Sequence, residues 1–367
     1  MSSTALPFGL DPPGIDYARD PYPALARLRD IAPRYYAPER DAWFISERAD
    51  NAALLRDDRL DITQSSSFAD QSDPFRTTVV RRLRGWFASS DALLEQTVSA
   101  AIEACMAALI EQGEGDLVPM VAHAIPTRVM ATLLGVPASD IPALQHIAEG
   151  LLQSYDLDWS GRPVAAAPAS RVLSLYFQNH WRNGPATPLM GLLRTTQAEF
   201  ALPDASMVDT CSKLFSAGTT TTGACIANIL ARLVGAVDTS EGVQPPYHLD
   251  DLLRLDTPVI GIKRVARAEV QLRVAVILPG QKLYLLIGGS NRAPIGGQHA
   301  PPLTFGLGRY HCLGAMLARL EIGALLDAFQ PIAPKVRLSG PVKWRESWLL
   351  HEARSIPVNV HGVFDAN

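Results

Sequence analysis

The chain has 367 residues, 47% of them hydrophobic and 19% charged, with a formal net charge of -4. This is a globular composition with material for a large core, and a pI near 6.1 excludes a basic, nucleic-acid-binding footprint. Four widely spaced cysteines, with no Cys-x-x-Cys pair and no secretory leader, exclude a disulfide scaffold and point to a reducing cytoplasm. No uninterrupted apolar run reaches the length of a membrane span, and no linker or repeat divides the chain, so 1-367 reads as one domain without a membrane partner.

In chain order, Pro23 to Asp30 predicts a short helix with proline in its first turn. Arg34 to Tyr36 and Ala42 to Ile45 predict a hairpin, and Ala49 to Arg56 a helix. The polar stretch Ser65 to Asp73 predicts a loop. Phe75 to Phe87 and Asp91 to Gln112 predict two helices, with a serine cap before Asp91. Arg81, Arg82 and Arg84 on the first are either a solvated face or a docking patch for an acidic electron-transfer protein. Leu117 to Val136 is apolar nearly all round and predicts buried helix, kinked or broken at Pro126, with Met120 and Met130 in the core. Ile141 to Tyr155 and Ala169 to Trp181 predict two further helices with an irregular connection between them. Tyr155, Trp159 and Tyr176 there read as packing residues, with contact to a bound small molecule as the alternative.

Ala205 to Val237 is the longest periodic stretch and carries Ala217-Gly218-Thr219-Thr220-Thr221-Thr222. A glycine in mid-helix costs about 1 kcal/mol relative to alanine, so the sequence accepts a weakness there. Threonine hydroxyls in such a run bond back to carbonyls one turn earlier. Leu249 to Leu255 predicts a short helix with Asp251 and Arg254 on one face at i, i+3. Thr304 to Gly314 then forms a glycine-rich loop just before the helical stretch Ala315 to Phe329, which places Cys312 at a helix entrance. Unpartnered first-turn amides and the positive end of the helix dipole stabilise a thiolate there. Gly306 and Gly308 allow positive φ and close backbone approach to a flat ligand, and Gly314 removes a side chain where something large must pass. Lys335 to Leu338 and Pro357 to Val360 predict terminal strands.

The pattern Phe305-Gly306-x-Gly308-x-x-x-Cys312-x-Gly314, with the following Ala315, Leu317, Ala318, Arg319, Leu320 and Glu321, resembles the cysteine-ligand loop of the heme-thiolate monooxygenases, the cytochrome P450 superfamily. The resemblance implies a mainly α fold with small β-sheets, a single triangular domain with a long central helix over heme b, and Cys312 as the iron ligand. Ala217 to Thr222 is similar to the family's Ala-Gly-x-acidic-Thr-Thr run. It implies that Thr221 helps deliver protons to bound oxygen, while Thr220 stands where the family has an acid. Asp251 and Arg254 resemble the family's Glu-x-x-Arg brace, and Arg264 matches the strand arginine that clamps a heme propionate. Arg76 falls on a second propionate position, and Tyr310 stands two before the cysteine, where its phenol could reach a propionate with Arg309 or His311 as substitutes. Phe305, Gly306 and Gly218 join the cofactor's surroundings by the same resemblance. Asn291-Arg292-Ala293-Pro294 resembles Asn-Arg-Asp-Pro, and only Ile295 to Leu303 then precedes the loop, where relatives carry a longer segment with an arginine or histidine completing the brace.

The function implied is oxidation of a small or medium apolar metabolite, in secondary metabolism, with electrons from a ferredoxin-type partner, since no Gly-x-Gly-x-x-Gly fingerprint provides a nicotinamide or flavin domain. Two alternatives stand beside it. Thr220 and the short segment before the loop fit a heme-thiolate dehydratase, isomerase, cyclase or peroxide-dependent enzyme. Eroded motifs also fit an auxiliary protein that stabilises a partner enzyme, though the intact cysteine loop argues against that.

Overall fold

The structure, a computed structural model, describes residues 15-62, 74-153, 167-235, 248-273, 275-293 and 301-361. The first stretch folds as α1 (Ile15–Arg19), α2 (Tyr22–Ile31), β1 (Arg34–Ala37), β2 (Ala42–Ile45), α3 (Arg48–Leu54) and β3 (Leu60–Asp61). The middle is helical: α4 (Pro74–Ser89), α5 (Asp91–Gln112), the short strand β4 (Glu114–Asp116), α6 (Ala124–Leu134), α7 (Ile141–Gln153), α8 (Ala167–Asn183), α9 (Pro188–Phe200) and α10 (Asp204–Leu233). Then come α11 (Leu249–Leu255), β5 (Ile262–Ala266), β6 (Val270–Leu272), β7 (Ala275–Ile277), β8 (Lys282–Leu285), α12 (Ile287–Asn291) and α13 (Ala315–Phe329). The chain closes with β9 (Val336–Leu338), β10 (Lys343–Trp344), β11 (Ala353–Ser355) and β12 (Pro357–Val360). The predicted mainly helical class with small sheets is the observed one.

Two units emerge. One comprises the described parts of Met1–Ser65, Ser240–Cys312 and Trp344–Glu352. Its sheet runs β1-β2-β8-β5-β3, with β2 and β8 parallel and the other neighbours antiparallel. The expected hairpin is β1 and β2, turned through Asp41, whose φ of 42° is left-handed. The inward residues Ile45, Leu54, Leu60, Leu283, Leu285 and Leu303 pack into one cluster, so the sheet, α3 and the lead-in to the cysteine loop share a core.

The second unit holds the described parts of Ser66–Thr239, Leu313–Lys343 and Ala353–Asn367. Here α10 packs against α6, α7 and α8, α5 packs against α6 and α13, and β4, β12 and β9 form a small sheet. By length and composition α5 could cross a membrane, but its residues Leu94, Val98, Ile102, Cys105 and Leu109 are buried in this bundle.

Several expectations are corrected. Ser90 stands at the N-cap of α5, but its backbone (φ -113°, ψ 24°) leaves the hydroxyl without a capping bond. The predicted helix Leu117 to Val136 is two pieces: a π-helical turn, Val118–Ala122, and α6. Pro126 falls in the first turn of α6, where its missing N–H costs nothing, so the break precedes it. Helix α10 stops at Leu233 rather than Val237, because Gly235 takes a left-handed φ of 77°. Unexpected α9 starts on a readable signal, Thr187 followed by Pro188, with the Thr187 hydroxyl accepting from the Met190 amide at 3.1 Å. The predicted loop Ser65 to Asp73 lies outside the described residues, as do most of the Asp156 to Pro168 connection and of the segment Ile295 to Leu303.

Candidate active site

The cysteine loop is built as its glycines require. Gly306 and Gly308 have φ of 65° and 70°, the left-handed region in which a side chain is strained. At Gly308 space is also short, since a Cβ would stand 2.8 Å from the Leu55 carbonyl oxygen and 2.9 Å from Arg56 Cα. The loop closes when the Cys312 amide donates to the Phe305 carbonyl at 2.8 Å. Cys312 is thereby held just before α13 with its side chain exposed, whereas Cys105, Cys211 and Cys225 are buried.

Arg264 lies on β5 and is 5% exposed. Its guanidinium donates to the Lys263 carbonyl at 2.8 Å and stacks 4.9 Å from the Tyr310 ring centre. Burial pulls its pKa down to about 10, against partial support from Tyr310 and Asp61. The Tyr310 hydroxyl donates to Asp61, and its ring centre lies 4.9 Å from the Arg264 guanidinium and 4.7 Å from that of Arg309. Asp61 also accepts from Arg267 Nε at 2.5 Å and from the Ile62 amide at 2.8 Å. Burial raises the Asp61 pKa, but the Tyr310 hydroxyl, the Ile62 amide and Arg267 together outweigh it, so the net shift is downward. Nothing in the sequence singled out Asp61, which follows the charged run Asp57-Asp58-Arg59 and reads as surface.

The Asp251 and Arg254 pair forms, loosely, at 3.6 Å, with both side chains largely buried. Arg254 also donates to the Asn291 carbonyl at 2.8 Å. Asn291 passes the tie on, since its Nδ2 donates to Thr304 Oγ1 at 3.1 Å and Thr304 donates to the Leu253 carbonyl at 2.6 Å. The brace is thus rebuilt through an asparagine and a threonine, which the motif comparison did not foresee.

On α10 the threonines bond back as expected, Thr220 to the Ser216 carbonyl at 2.6 Å and Thr221 to the Ala217 carbonyl at 2.8 Å. Thr219, Thr220 and Thr222 are buried, whereas Leu214, Ala217, Gly218 and Thr221 are partly exposed at i, i+3, i+4 and i+7, as are Lys213 and Ser216. Gly218 has a packing reason of its own, because a Cβ there would lie 2.9 Å from Met130 Cγ and Sδ on α6. The Arg76 side chain, Tyr155 and Trp159 lie outside the described residues. Tyr176 donates to Asp140 at 2.8 Å, a packing role as expected, and burial and that carboxylate raise its pKa.

These residues fit an iron porphyrin. A single exposed thiol on a glycine loop is an axial donor, and a buried guanidinium hydrogen-bonded to a neighbouring carbonyl, with no carboxylate in contact among the described residues, suits a propionate. The comparisons agree. No family model matches the chain. The epothilone C/D epoxidase of Sorangium cellulosum is 26% identical over 384 aligned residues, covering 92% of this chain and 92% of that protein. The cytochrome P450 monooxygenase PikC of Streptomyces venezuelae is 27% identical over 385 residues, covering 94% and 92%. Among solved structures, ligand-free CYP164A2 of Mycobacterium smegmatis matches with a TM-score of 0.82 at 25% identity, covering 96% of this chain and 98% of that one. The chain has the fold of solved cytochrome P450 structures and is similar over most of its length to P450 monooxygenases, a likeness that supports the cytochrome P450 superfamily, a P450-type enzyme and heme b as its cofactor.

Proposed function

We propose that the chain is a monooxygenase acting on a small or medium apolar metabolite of a secondary pathway, with a ferredoxin-type protein as electron donor in the cytoplasm. The observation that carries this reading is the glycine loop presenting the Cys312 thiol, and the named activities of the epoxidase and PikC support it. Heme held by a thiolate supplies dioxygen activation. Cys312 is the iron ligand, Arg264 binds a propionate, and Arg76 serves the other propionate. Phe305 and Gly306 shape the loop against the porphyrin. Thr221 hands protons on from Oγ1, which requires its hydroxyl to leave the Ala217 carbonyl, a bond of ordinary length. Tyr310 supports Arg264 by stacking, with its hydroxyl engaged by Asp61.

The test is the spectrum of the reduced, carbon-monoxide-treated protein, followed by a spin shift on adding candidate apolar metabolites. The expected result is a thiolate-type band that Cys312→Ser abolishes, and an unchanged band in that variant would refute the assignment. One observation favours a second reading, a heme-thiolate enzyme without the full oxygen cycle: Thr220, at the family's acidic position, is buried with its hydroxyl spent on Ser216. Product formed without oxygen or reductant would establish that reading instead.

A further inference from the structure

Arg48, the first residue of α3, has no carboxylate within ion-pair distance among the described residues; it is surrounded by carbonyl oxygens. Its Nη2 donates to the Pro301 carbonyl at 2.5 Å, and its Nη1 reaches the Ser290 carbonyl and Asn291 Oδ1, each at 3.4 Å. The acceptors belong to two places, the end of α12 and the lead-in to the cysteine loop. Asn291 Oδ1 also accepts from the Leu303 amide at 2.8 Å, and Asn291 Nδ2 holds Thr304. Pro301, Leu303 and Thr304 are therefore all tied to α3 or α12 directly before Phe305. Further along the same helix, Asn51 Nδ2 donates to Ser290 Oγ at 2.7 Å and to the Ile45 carbonyl at 2.9 Å, which fixes α3 to α12 independently. Past its last turn, Leu55 and Arg56 press against Gly308 so closely that no side chain fits there.

We infer that α3 is a splint for the Cys312 loop and that Arg48 is its positioning residue, its forked guanidinium fastening the loop's entry to α12 while the far end of the helix abuts Gly308. The arrangement keeps two like charges together, since Arg254 also donates to Asn291, at the backbone carbonyl. Only a planar group with several donors reaches Pro301 and Asn291 at once, which a lysine ammonium cannot do. The inference rests on Cys312 being the iron ligand.

The experiment compares wild-type, Arg48→Ala and Arg48→Lys holoenzymes by peptide-resolved deuterium uptake and by the decay of the thiolate-type ferrous carbonyl band. In Arg48→Ala, uptake across 301-312 and the band's decay should each rise about tenfold to a hundredfold, the scale of losing one charge-assisted hydrogen bond, with α10 unchanged. Arg48→Lys should recover less than half of the difference. Uptake and decay equal to wild type in Arg48→Ala, or complete rescue by lysine, would overturn the inference; if the alanine variant does not fold, the lysine variant decides by the same two readouts. A wild-type protein lacking the thiolate band would instead sink the ligand assignment, and deuterium uptake would still report on the splint.

Discussion

At the scale of single residues, Arg264 carries a folding cost that fits the binding role proposed for it. An arginine is charged in both folded and unfolded chains at neutral pH, so the fall of its pKa from 12.5 to about 10 is a cost of roughly 3 kcal/mol carried by the folded state. An anionic ligand group beside it offsets that cost. Arg264→Met should leave the heme-free protein at least as stable in urea unfolding while weakening heme retention, and a marked loss of heme-free stability would contradict this. Tyr310 makes a separate forecast. Because the folded Asp61 pKa is depressed, its stabilising contribution is present above the ordinary carboxylate range and is lost as pH falls through the folded value. Tyr310→Phe keeps the stacked ring and removes the hydroxyl, so the stability gap to wild type should be open at neutral pH and close in acid. Denaturant unfolding at several pH values checks it, and a gap that widens in acid would exclude the Asp61 account.

At the scale of elements, three glycines separate three kinds of constraint. Gly308→Ala meets both a left-handed backbone, which costs about 1–2 kcal/mol, and the Leu55 carbonyl oxygen just past α3, 2.8 Å away, so heme incorporation should fail or fall steeply. On α10, alanine gains about 1 kcal/mol of helix propensity at either Gly218 or Gly223. The neighbours decide the sign. At Gly218 a flexible Met130 thioether can turn aside, so Gly218→Ala should be near neutral in Tm. At Gly223 the Cβ would stand 2.6 Å from Nδ1 of the buried His123 ring, and overpacking of about 1–3 kcal/mol should win. Equal Tm values for the two variants would count against this packing argument. Helix α12 belongs here too: five residues with two glycines have little propensity, and the helix exists because Gly288 admits Ile260 and Gly289 admits Leu25.

At the scale of the whole molecule, what was legible followed chain distance. Helices α11 and α13 and strand β12 have the predicted ends because capping, periodicity and motif all lie within a few residues of one another. The cysteine loop was legible for the same reason. Asp61 and Arg48 were not, because their partners Tyr310 and Pro301 lie 249 and 253 positions away, and no local pattern encodes such a pairing. The basic cluster is likewise reshaped by a distant partner: Arg82 pairs with Glu199 at 2.5 Å, while Arg81 and Arg84 remain exposed. If an acidic ferredoxin docks there, Arg81→Glu should slow reduction and flatten its salt dependence, and rates equal to wild type at every ionic strength would remove the patch from consideration. The four sulfurs carry a last consequence. Three are buried, and burial raises the Cys105 pKa and pushes that of Cys211 up to about 12, so they are poor nucleophiles. Stripped of its pigment, each polypeptide should react with one equivalent of a thiol-seeking dye, at Cys312, so if that sulfur is the proposed iron ligand, labelling stoichiometry would count the unloaded fraction of a preparation without any optical measurement of the porphyrin.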